Sequence, residues 1–420
     1  MNKNEKPCKE FEVTIEKLVY GGAGLARHSG KVVFVPFAVP GDRLIVRPVE
    51  EKKTFLRAEI IRILEPGNGR VAPVCPHFIK CGGCQWQQLE YPRQVEAKRQ
   101  ILEETFYHRF PETRENPIVM RSCPQPLAYR SRARMKLRGA GSNASVGFFR
   151  TGSHTVEDLE NCPLFKGSLN EALTSLRQFK IKVDTDPKPQ EMDIACSEEE
   201  GSWATALTTA SADEGVTPLF GNRRREDVIL RRKVGDFTYL VTPSVFFQAN
   251  DFMVLELVSL VQDSARSSGT GRALDLFAGV GLFTLPLAKQ FEKVVAVENS
   301  LLASQLCSRN AEAAGLGNIK AVCSDVLLWM GSQEKSAGRF DLILLDPPRT
   351  GAGQKIMERI AGWAPKSIIY ASCDPQTLVR DLTVITRRGY KIGLVEGLDM
   401  FPQTYHFETV VKLEKWTTSD

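Results

Sequence analysis

Two changes of hydrophobic pattern along the 420-residue chain predict a multidomain α/β protein. Short alternating apolar runs fill residues 11–65, with glycine and proline turns between them, which is typical of a small OB-type β-barrel. After Pro243 buried strands alternate with helices, and a glycine turn follows the first strand, as in Rossmann-like domains. We therefore predict a barrel over residues 1–67, a β-rich central domain over 68–241 and a Rossmann-like domain over 242–420.

The barrel prediction depends on four apolar runs. They are Phe11–Ile15, Lys31–Val35, Arg43–Val46 and Phe55–Ile63. The glycine-rich stretch Leu18–Arg27, with Val33–Pro36 and Pro40–Asp42 after it, resembles the TRAM domain, a small RNA-binding barrel. The resemblance implies RNA as a partner.

Composition places the chain among ordinary globular proteins, with 42% hydrophobic and 25% charged residues. The net charge of +5 is compatible with a polyanionic partner. The sequence contains no long apolar run typical of a membrane span, and its charged start lacks the apolar core of a signal peptide, so we expect a cytoplasmic protein without membrane contact. In that reducing compartment the ten cysteines are expected to be metal ligands, nucleophiles or bystanders rather than disulfides.

Three cysteines predict a metal site. Cys75, Cys81 and Cys84 have the spacing C-x5-C-x2-C, and the two glycines between the last two let the backbone wrap closely. A four-ligand site needs one more group, for which Cys162 is the best candidate, Cys123 the second and His77 a weaker local option. The spacing does not separate an iron–sulfur cluster from zinc.

The central region also contains a row of cations. In the run 129–138, strand alternation places Arg130, Arg132, Arg134, Lys136 and Arg138 on one face, which predicts a surface for RNA phosphates. A merely solvated sheet face normally mixes charge signs. Basic clusters at 223–225 and 231–233 are expected to extend the row, residues 178–214 are predicted to be loops, and residues 92–108 an amphipathic helix that can pack on the last domain.

Polar side chains follow successive strands of the last domain. Glycines 279 and 281 form a turn after the strand that contains Asp275, Glu298 ends the next strand where ribose hydroxyls would bind, and Asp325 and Asp346 end two more. The turn lacks the third glycine of a nicotinamide dinucleotide site. The run 275–281 instead resembles the first motif of class I S-adenosylmethionine-dependent methyltransferases.

Cys373 is the predicted nucleophile. It follows a buried strand and precedes a helix with Asp374 as N-cap and Pro375 at the first position, where the helix dipole should lower a cysteine pKa. Carbon 5 of uracil accepts a methyl group only after a thiolate adds to carbon 6, and a base must then remove the carbon 5 proton. Glu408 is the predicted base. An amino-group methyltransferase would need no cysteine.

Four stretches, Phe246–Asn250, Asp346–Arg349, Ser372–Pro375 and Phe407–Thr409, closely resemble the RNA 5-methyluridine methyltransferase family. The barrel and the cysteines point to its RlmD-like branch, which acts on 23S ribosomal RNA. A transfer RNA uridine methyltransferase and a non-catalytic RNA-binding protein are the alternatives. No obligate protein partner is evident.

The resemblance implies S-adenosylmethionine as cofactor, Cys373 as nucleophile and Glu408 as base. It also implies a 4Fe-4S cluster on four cysteines, namely Cys75, Cys81, Cys84 and Cys162. By the same resemblance Gln248, Glu298 and Asp346 contact the cofactor or the target base. Phe246 is expected to stack on RNA.

Overall fold

The computed structural model describes residues 9–139, 145–178, 189–208, 229–333 and 340–416. In these residues the strands form a six-stranded sheet, a five-stranded sheet, a two-stranded hairpin and an eight-stranded sheet. The described helices include none long and apolar enough to cross a bilayer.

The first sheet has the strand order β1-β5-β6-β4-β3-β2. Its strands are β1 (Phe11–Thr14), β2 (Lys17–Leu18), β3 (Gly24–His28), β4 (Lys31–Val35), β5 (Arg43–Glu51) and β6 (Phe55–Glu65). Alternate residues such as Val33, Val35 and Leu44 fill its small core. The four predicted runs are confirmed as strands, and β2 and β3 overlap the two ends of the glycine-rich stretch.

Helix α1 (Tyr91–Arg109) follows the cysteine loop and confirms the predicted amphipathic helix. A short 3-10 helix (Pro111–Glu115) and strand β7 (Val119–Arg121) come next. The apolar face of α1, which includes Ile101, Leu102 and Phe106, packs in the same core as strands of the last sheet.

The central sheet has the order β10-β9-β8-β11-β12 and is covered by helix α2 (Gly167–Gln178). Its strands are β8 (Arg132–Arg138), β9 (Ser145–Phe149), β10 (Val156–Asp158), β11 (Gln190–Ser197) and β12 (Ser202–Thr208). The prediction of loops over 178–214 is therefore wrong for β11 and β12. The alternation of Met192, Ile194 and Cys196 was the strand signal, since all three are buried.

The remaining elements follow in chain order. The hairpin pairs β13 (Leu230–Val234) with β14 (Phe237–Val241). The helices are α3 (Val254–Ala265), α4 (Thr284–Ala288), α5 (Leu301–Ala313), α6 (Val326–Ser332), α7 (Gln354–Trp363) and α8 (Pro375–Thr386), with a 3-10 turn at Arg266–Ser268. The strands are β15 (Arg272–Leu276), β16 (Lys293–Glu298), β17 (Ile319–Cys323), β18 (Leu342–Leu345), β19 (Ser367–Ser372), β20 (Tyr390–Leu398) and β21 (Glu408–Lys415).

The eight-stranded sheet has the order β17-β16-β15-β18-β19-β21-β20-β7 and confirms the Rossmann-like prediction. Strands β15 to β19 are parallel, so their carboxyl ends share one edge, where open α/β sheets bind ligands. Strand β21 runs antiparallel to β19, with Ser372 opposite Thr409. The start of β21, at Glu408, therefore lies at that same edge beside the end of β19.

The segment 399–407, between β20 and β21, is held by residues from the first half of the chain. Lys98 Nζ donates to Asp399 Oδ1 at 2.6 Å, and both side chains are 0% exposed. Lys98 Nζ also donates to the carbonyl of Phe401 at 3.1 Å. Gln94 and Gln403 exchange two hydrogen bonds of 2.9 Å, through the Gln403 side chain and the Gln403 backbone N–H.

We expect Lys98→Met to lower the free energy of unfolding by about 3–5 kcal/mol, because Asp399 would stay buried without a counter-charge. Urea denaturation measures the change. Lys17→Met is the matched control, since the exposed Lys17–Glu104 pair should contribute less than about 1 kcal/mol. An equal loss of unfolding free energy in the two variants would show that burial does not make the Lys98–Asp399 pair more important than the exposed pair.

Candidate active site

A cavity of about 590 Å³ opens at the carboxyl edge of the eight-stranded sheet. It brings together residues that are up to 164 positions apart in the chain, from Ser244 to Glu408. Seven predicted site residues line it, namely Phe246, Gln248, Gly279, Glu298, Asp346, Cys373 and Glu408. The fold therefore assembles the predicted cofactor residues, the predicted nucleophile and the predicted base around one space.

The glycine turn presents backbone to this cavity. Gly279 has φ +55° and open space where a side chain would be, and its N–H donates to Glu298 Oε2 at 2.9 Å. Gly281 has φ +93°, and a Cβ there would lie 2.9 Å from Cys307 Sγ. Gly281 is therefore required for packing behind the turn, whereas Gly279 leaves room for a ligand.

Three predicted cofactor residues lie outside the cavity lining, namely Gly281, Asp275 and Asp325. Asp275 is fully buried behind the turn and accepts a hydrogen bond of 2.6 Å from Thr284 Oγ1, and burial raises its pKa to about 7. Asp325 is the N-cap of α6 and accepts from the Leu328 N–H at 2.9 Å. In this structure Asp275 supports the glycine turn and Asp325 supports a helix.

Two lining residues have polar atoms that no described residue satisfies. They are Gln248 Oε1 and His406 Nδ1, both buried. Burial, and next the charge of Arg349, lowers the pKa of His406 to about 3, so its imidazole is neutral. Because buried polar atoms are normally paired, these two atoms indicate where a ligand would make hydrogen bonds.

The turn that carries Cys373 has the predicted cap. Asp374 Oδ1 accepts from the N–H groups of Gln376 and Thr377 at 3.0 and 2.9 Å, and Pro375 begins α8. The predicted lowering of the thiol pKa is wrong. Burial raises the pKa of Cys373 to about 12, and the carboxylates of Glu408, Asp346 and Asp374 add to the rise, while Arg349 opposes it.

The physical reason is the balance of charges around the thiol. A helix N-terminus supplies only about half a positive charge, and the carboxylate of Asp374 already occupies it. Three carboxylates and a buried position outweigh that dipole. The resting side chain of Cys373 is therefore a thiol, and it can act as a nucleophile only after its proton passes to a base.

Asp346 and Glu408 form a buried acidic pair in the cavity. Burial raises the pKa of Asp346 to about 7. Burial, and next the charge of Asp346, raises the pKa of Glu408 well above its ordinary value. A carboxyl group with a pKa near neutrality can both accept and return a proton at physiological pH, so this pair is suited to general acid–base chemistry.

Three cations of the predicted row already have protein partners, and their role as a surface for RNA phosphates stays a prediction. Arg132 donates to the carbonyls of Pro243 and Val245 at 3.1 and 2.6 Å. Arg134 donates two hydrogen bonds of 3.0 Å to Asp193, and Lys136 is paired with Glu191. The neighbouring strand β11 supplies the acidic partners, which the pattern of a single strand could not reveal.

Arg130 lines the cysteine cavity instead of an open face, and Arg231 is paired with Glu200 at 3.1 Å. The cluster 223–225 lies outside the described residues. Phe246 is 66% exposed at the mouth of the active-site cavity, with the Arg132 guanidinium 5.6 Å from its ring centre. Phe246 thus presents an exposed ring at the entrance.

The four predicted metal-binding cysteines line one small cavity. They are Cys75, Cys81, Cys84 and Cys162. The other candidates lie elsewhere: Cys123 is buried near Asn250, and His77 is paired with Glu157 at 3.0 Å. Across the described ranges, no group of three or more His, Cys, Asp or Glu side chains is arranged to hold a metal ion.

Arg349 and Tyr20 belong to the site or contact it, and neither was among the predicted site residues. Arg349 lines the cavity directly after the Asp-Pro-Pro turn and is the cation that opposes the high pKa of Cys373. Its position beside that turn was a usable signal. Tyr20 lies 354 positions from the residue it contacts, Asp374, and no local pattern marks it.

Parts of the chain match known protein families. Residues 330–416 match the family model described as tRNA (Uracil-5-)-methyltransferase, and residues 5–61 match the TRAM domain. Residues 270–358 match RNA cap guanine-N2 methyltransferase, a match that ends before Cys373 and so covers only the part around the glycine and Asp-Pro-Pro turns.

Full-length relatives extend the match over the chain. A 23S rRNA (uracil(1939)-C(5))-methyltransferase RlmD of Pectobacterium atrosepticum is 33% identical, covering 96% of this chain and 93% of its own. An RNA methyltransferase of Thermotoga maritima is 31% identical, covering 96% and 99%. The crystal structure of Pyrococcus abyssi tRNA (uracil-54, C5)-methyltransferase with S-adenosyl-L-homocysteine shares the fold, with a TM-score of 0.75, 24% identity and coverage of 96% and 100%.

We expect Arg349→Met to raise the pKa of Cys373 further, because the opposing positive charge is removed. Iodoacetamide alkylation of Cys373, followed by peptide mass spectrometry as a function of pH, should then move to higher pH. Arg388→Met removes an exposed arginine that does not line the cavity and should leave the profile in place. An unchanged Arg349→Met profile would contradict the assigned charge balance.

Proposed function

The chain belongs to the family of S-adenosylmethionine-dependent RNA (uracil-C5) methyltransferases, and we propose that it methylates one uridine of 23S ribosomal RNA through a covalent adduct with Cys373. One observation carries the proposal: a single cavity unites the Cys373 thiol with Glu408 and Asp346 beside the glycine turn. An amino-group methyltransferase would need neither the Cys373 thiol nor Glu408 as a base.

Relatives named for 23S ribosomal RNA, which match this chain over nearly its full length, support that substrate. Transfer RNA is the competing substrate, because the same site chemistry can serve either RNA. The cytoplasm is the proposed place of action. The target uridine must be unpaired or flipped out, since a thiolate cannot reach carbon 6 inside a stacked helix.

The first chemical step belongs to Cys373. Its proton passes to a carboxylate of the cavity, and its sulfur bonds to carbon 6 of uracil while the carbon 5–carbon 6 π electrons move toward the carbonyl at carbon 4. Carbon 5 thereby becomes an enolate carbon. Asp346, with a pKa of about 7, is suited to hydrogen-bond the uracil edge and stabilise the charge that develops there.

S-adenosylmethionine supplies the electrophilic methyl group that carbon 5 accepts. Residues around the glycine turn fit this molecule: Glu298 retains lone pairs for ribose hydroxyls after binding two backbone N–H groups, and Gly279 leaves open space. Gln248 Oε1 has no partner among the described residues and is available to the cofactor or the base. Phe246 would stack against RNA at the entrance.

Glu408 completes the reaction. As a carboxylate it removes the proton from carbon 5, the carbon 5–carbon 6 double bond re-forms, and the bond from carbon 6 to sulfur breaks. The Cys373 thiolate leaves and regains a proton. The raised pKa of Glu408 makes its carboxylate a stronger base than an exposed glutamate would be.

We assign a 4Fe-4S cluster to the cysteine cavity. The four cysteines line one cavity, so four thiolates are available to one metal centre. A 4Fe-4S cluster would take one thiolate on each iron, and the family resemblance, which implies such a cluster on these four cysteines, supports it over zinc. The Gly83 N–H, 3.4 Å from Cys81 Sγ, is the type of donor that stabilises a cluster ligand.

A 23S ribosomal RNA fragment with 5-fluorouridine at the target should form a covalent complex with the protein in the presence of S-adenosylmethionine. Fluorine at carbon 5 blocks the last proton removal, so intact mass spectrometry should detect protein, RNA and one added methyl group. Cys373→Ala should form no complex and should lose about 10⁴-fold or more in methyl transfer.

Two comparisons make this test specific. Glu408→Gln should accumulate the methylated complex with ordinary uridine RNA, because the base is gone while the nucleophile remains. A transfer RNA with the same substitution should form no complex if ribosomal RNA is the substrate. Methyl transfer by Cys373→Ala at the wild-type rate would refute the thiolate mechanism.

Protein purified without oxygen should contain about four iron and four sulfide per chain, as one 4Fe-4S cluster requires. Cys84→Ser should lose this content and the associated visible absorbance. Cys123→Ser should keep both, since Cys123 lies outside the cavity. Stoichiometric zinc in place of iron would contradict the cluster assignment.

A further inference from the structure

A side chain from the N-terminal barrel reaches the turn that carries Cys373. Tyr20 lies in the turn between β2 and β3, and its hydroxyl donates to Asp374 Oδ2 at 2.9 Å. The same turn is fixed by a second contact, because Trp86 Nε1 donates to the carbonyl of Gly22 at 3.0 Å. A Cβ on Gly22 would lie only 3.1 Å from the ring of Tyr405, so the turn packs closely against segment 399–407.

Asp374 uses its two oxygens for different elements. Oδ1 caps helix α8 through the N–H groups of Gln376 and Thr377, while Oδ2 binds Tyr20. Asp374 directly follows Cys373 in the chain. The position of this carboxylate therefore sets the position of the nucleophile turn, and Tyr20 holds the side of the carboxylate that the helix leaves free.

The ring of Tyr20 also packs against two aromatic residues of the segment that precedes Glu408. Its centre lies 5.3 Å from that of Tyr405 and 6.4 Å from that of Phe407, both edge-to-face. Phe407 immediately precedes Glu408. One side chain thus touches the turn that carries the nucleophile and the segment that carries the proposed base.

We infer that Tyr20 is a positioning residue through which the barrel fixes the Cys373 turn relative to Glu408. The inference rests on the proposed function, because it assumes that Cys373 and Glu408 act together. The barrel would then have a second role besides RNA binding. Cys373 and Glu408 keep their relative position only while the turn that contains Tyr20 packs against Asp374 and segment 399–407.

The contact has an electrostatic consequence for the thiol. The ionisable groups around Cys373 are Glu408, Asp346, Asp374, Arg349, Tyr20 and His406. Asp374 is one of the carboxylates that raise the pKa of Cys373, and the Tyr20 hydroxyl offsets part of that charge by donating to it. Burial, and next Asp374, raises the pKa of Tyr20, so the hydroxyl keeps its proton and remains a donor.

The test compares Tyr20→Phe, Asp374→Asn and the double variant. We expect Tyr20→Phe to lower kcat about tenfold with KM for RNA unchanged, since a hydrogen bond to a charged group is lost but no RNA contact is. Without RNA, alkylation of Cys373 should move to higher pH, because the Asp374 charge is less offset. Asp374→Asn should move it to lower pH, and there Tyr20→Phe should cause no further shift.

Tyr107→Phe is the control for loss of a tyrosine hydroxyl elsewhere, and it should match wild type. A Tyr20→Phe variant with wild-type kcat and alkylation profile would overturn the inference. A full Tyr20→Phe shift that persists in the Asp374→Asn background would also overturn it. Alkylation needs no RNA, so failure of the proposed function would appear separately, as absence of the 5-fluorouridine complex in wild type.

Discussion

The buried ion pair between Lys98 and Asp399 is the interaction on which the site depends most. Both side chains are completely buried, and Lys98 supplies the opposite charge that compensates the buried Asp399 carboxylate. The pair joins helix α1 to segment 399–407. Because that segment leads directly into Glu408, a contact made by the first half of the chain determines where the proposed base lies.

Other contacts hold the same segment. The Gln403 carbonyl accepts from the N–H groups of Gln85 and Trp86 at 3.1 Å, directly after Cys84, a proposed cluster ligand. Tyr129 donates to the carbonyl of Pro402 at 3.1 Å. Gln403 itself has φ +70°, a left-handed conformation that such contacts must stabilise. The proposed cluster cavity and the active site are thus neighbours through one peptide segment, although the cysteine motif and Glu408 are distant in sequence.

Burial and the charges around Cys373 favour its protonated thiol over the more reactive thiolate. Burial and the neighbouring carboxylates raise the pKa of Cys373, and Arg349 opposes them. A permanently ionised thiolate would react with any electrophile, including the methyl donor itself. A thiol that ionises only when substrate rearranges the local charges would react selectively with the bound uracil. Carboxyl groups with raised pKa values can accept the proton of the thiol.

The local sequence was enough to predict most of the elements. The period of the apolar residues indicated the barrel strands, helix α1 and the parallel sheet, and turn chemistry indicated the cap at Asp374 and the glycine turn, because these depend on neighbours within a few residues. Charge and pairing depend on contacts between distant segments: Arg132 donates to backbone carbonyls, Arg134 is paired with Asp193 of another strand, and the pKa of Cys373 rises where the helix N-terminus alone predicted a fall. Tyr20 reaches Asp374 across 354 residues. Electrostatic energies depend on distance in space and on burial, and neither quantity is written in the local order of the residues.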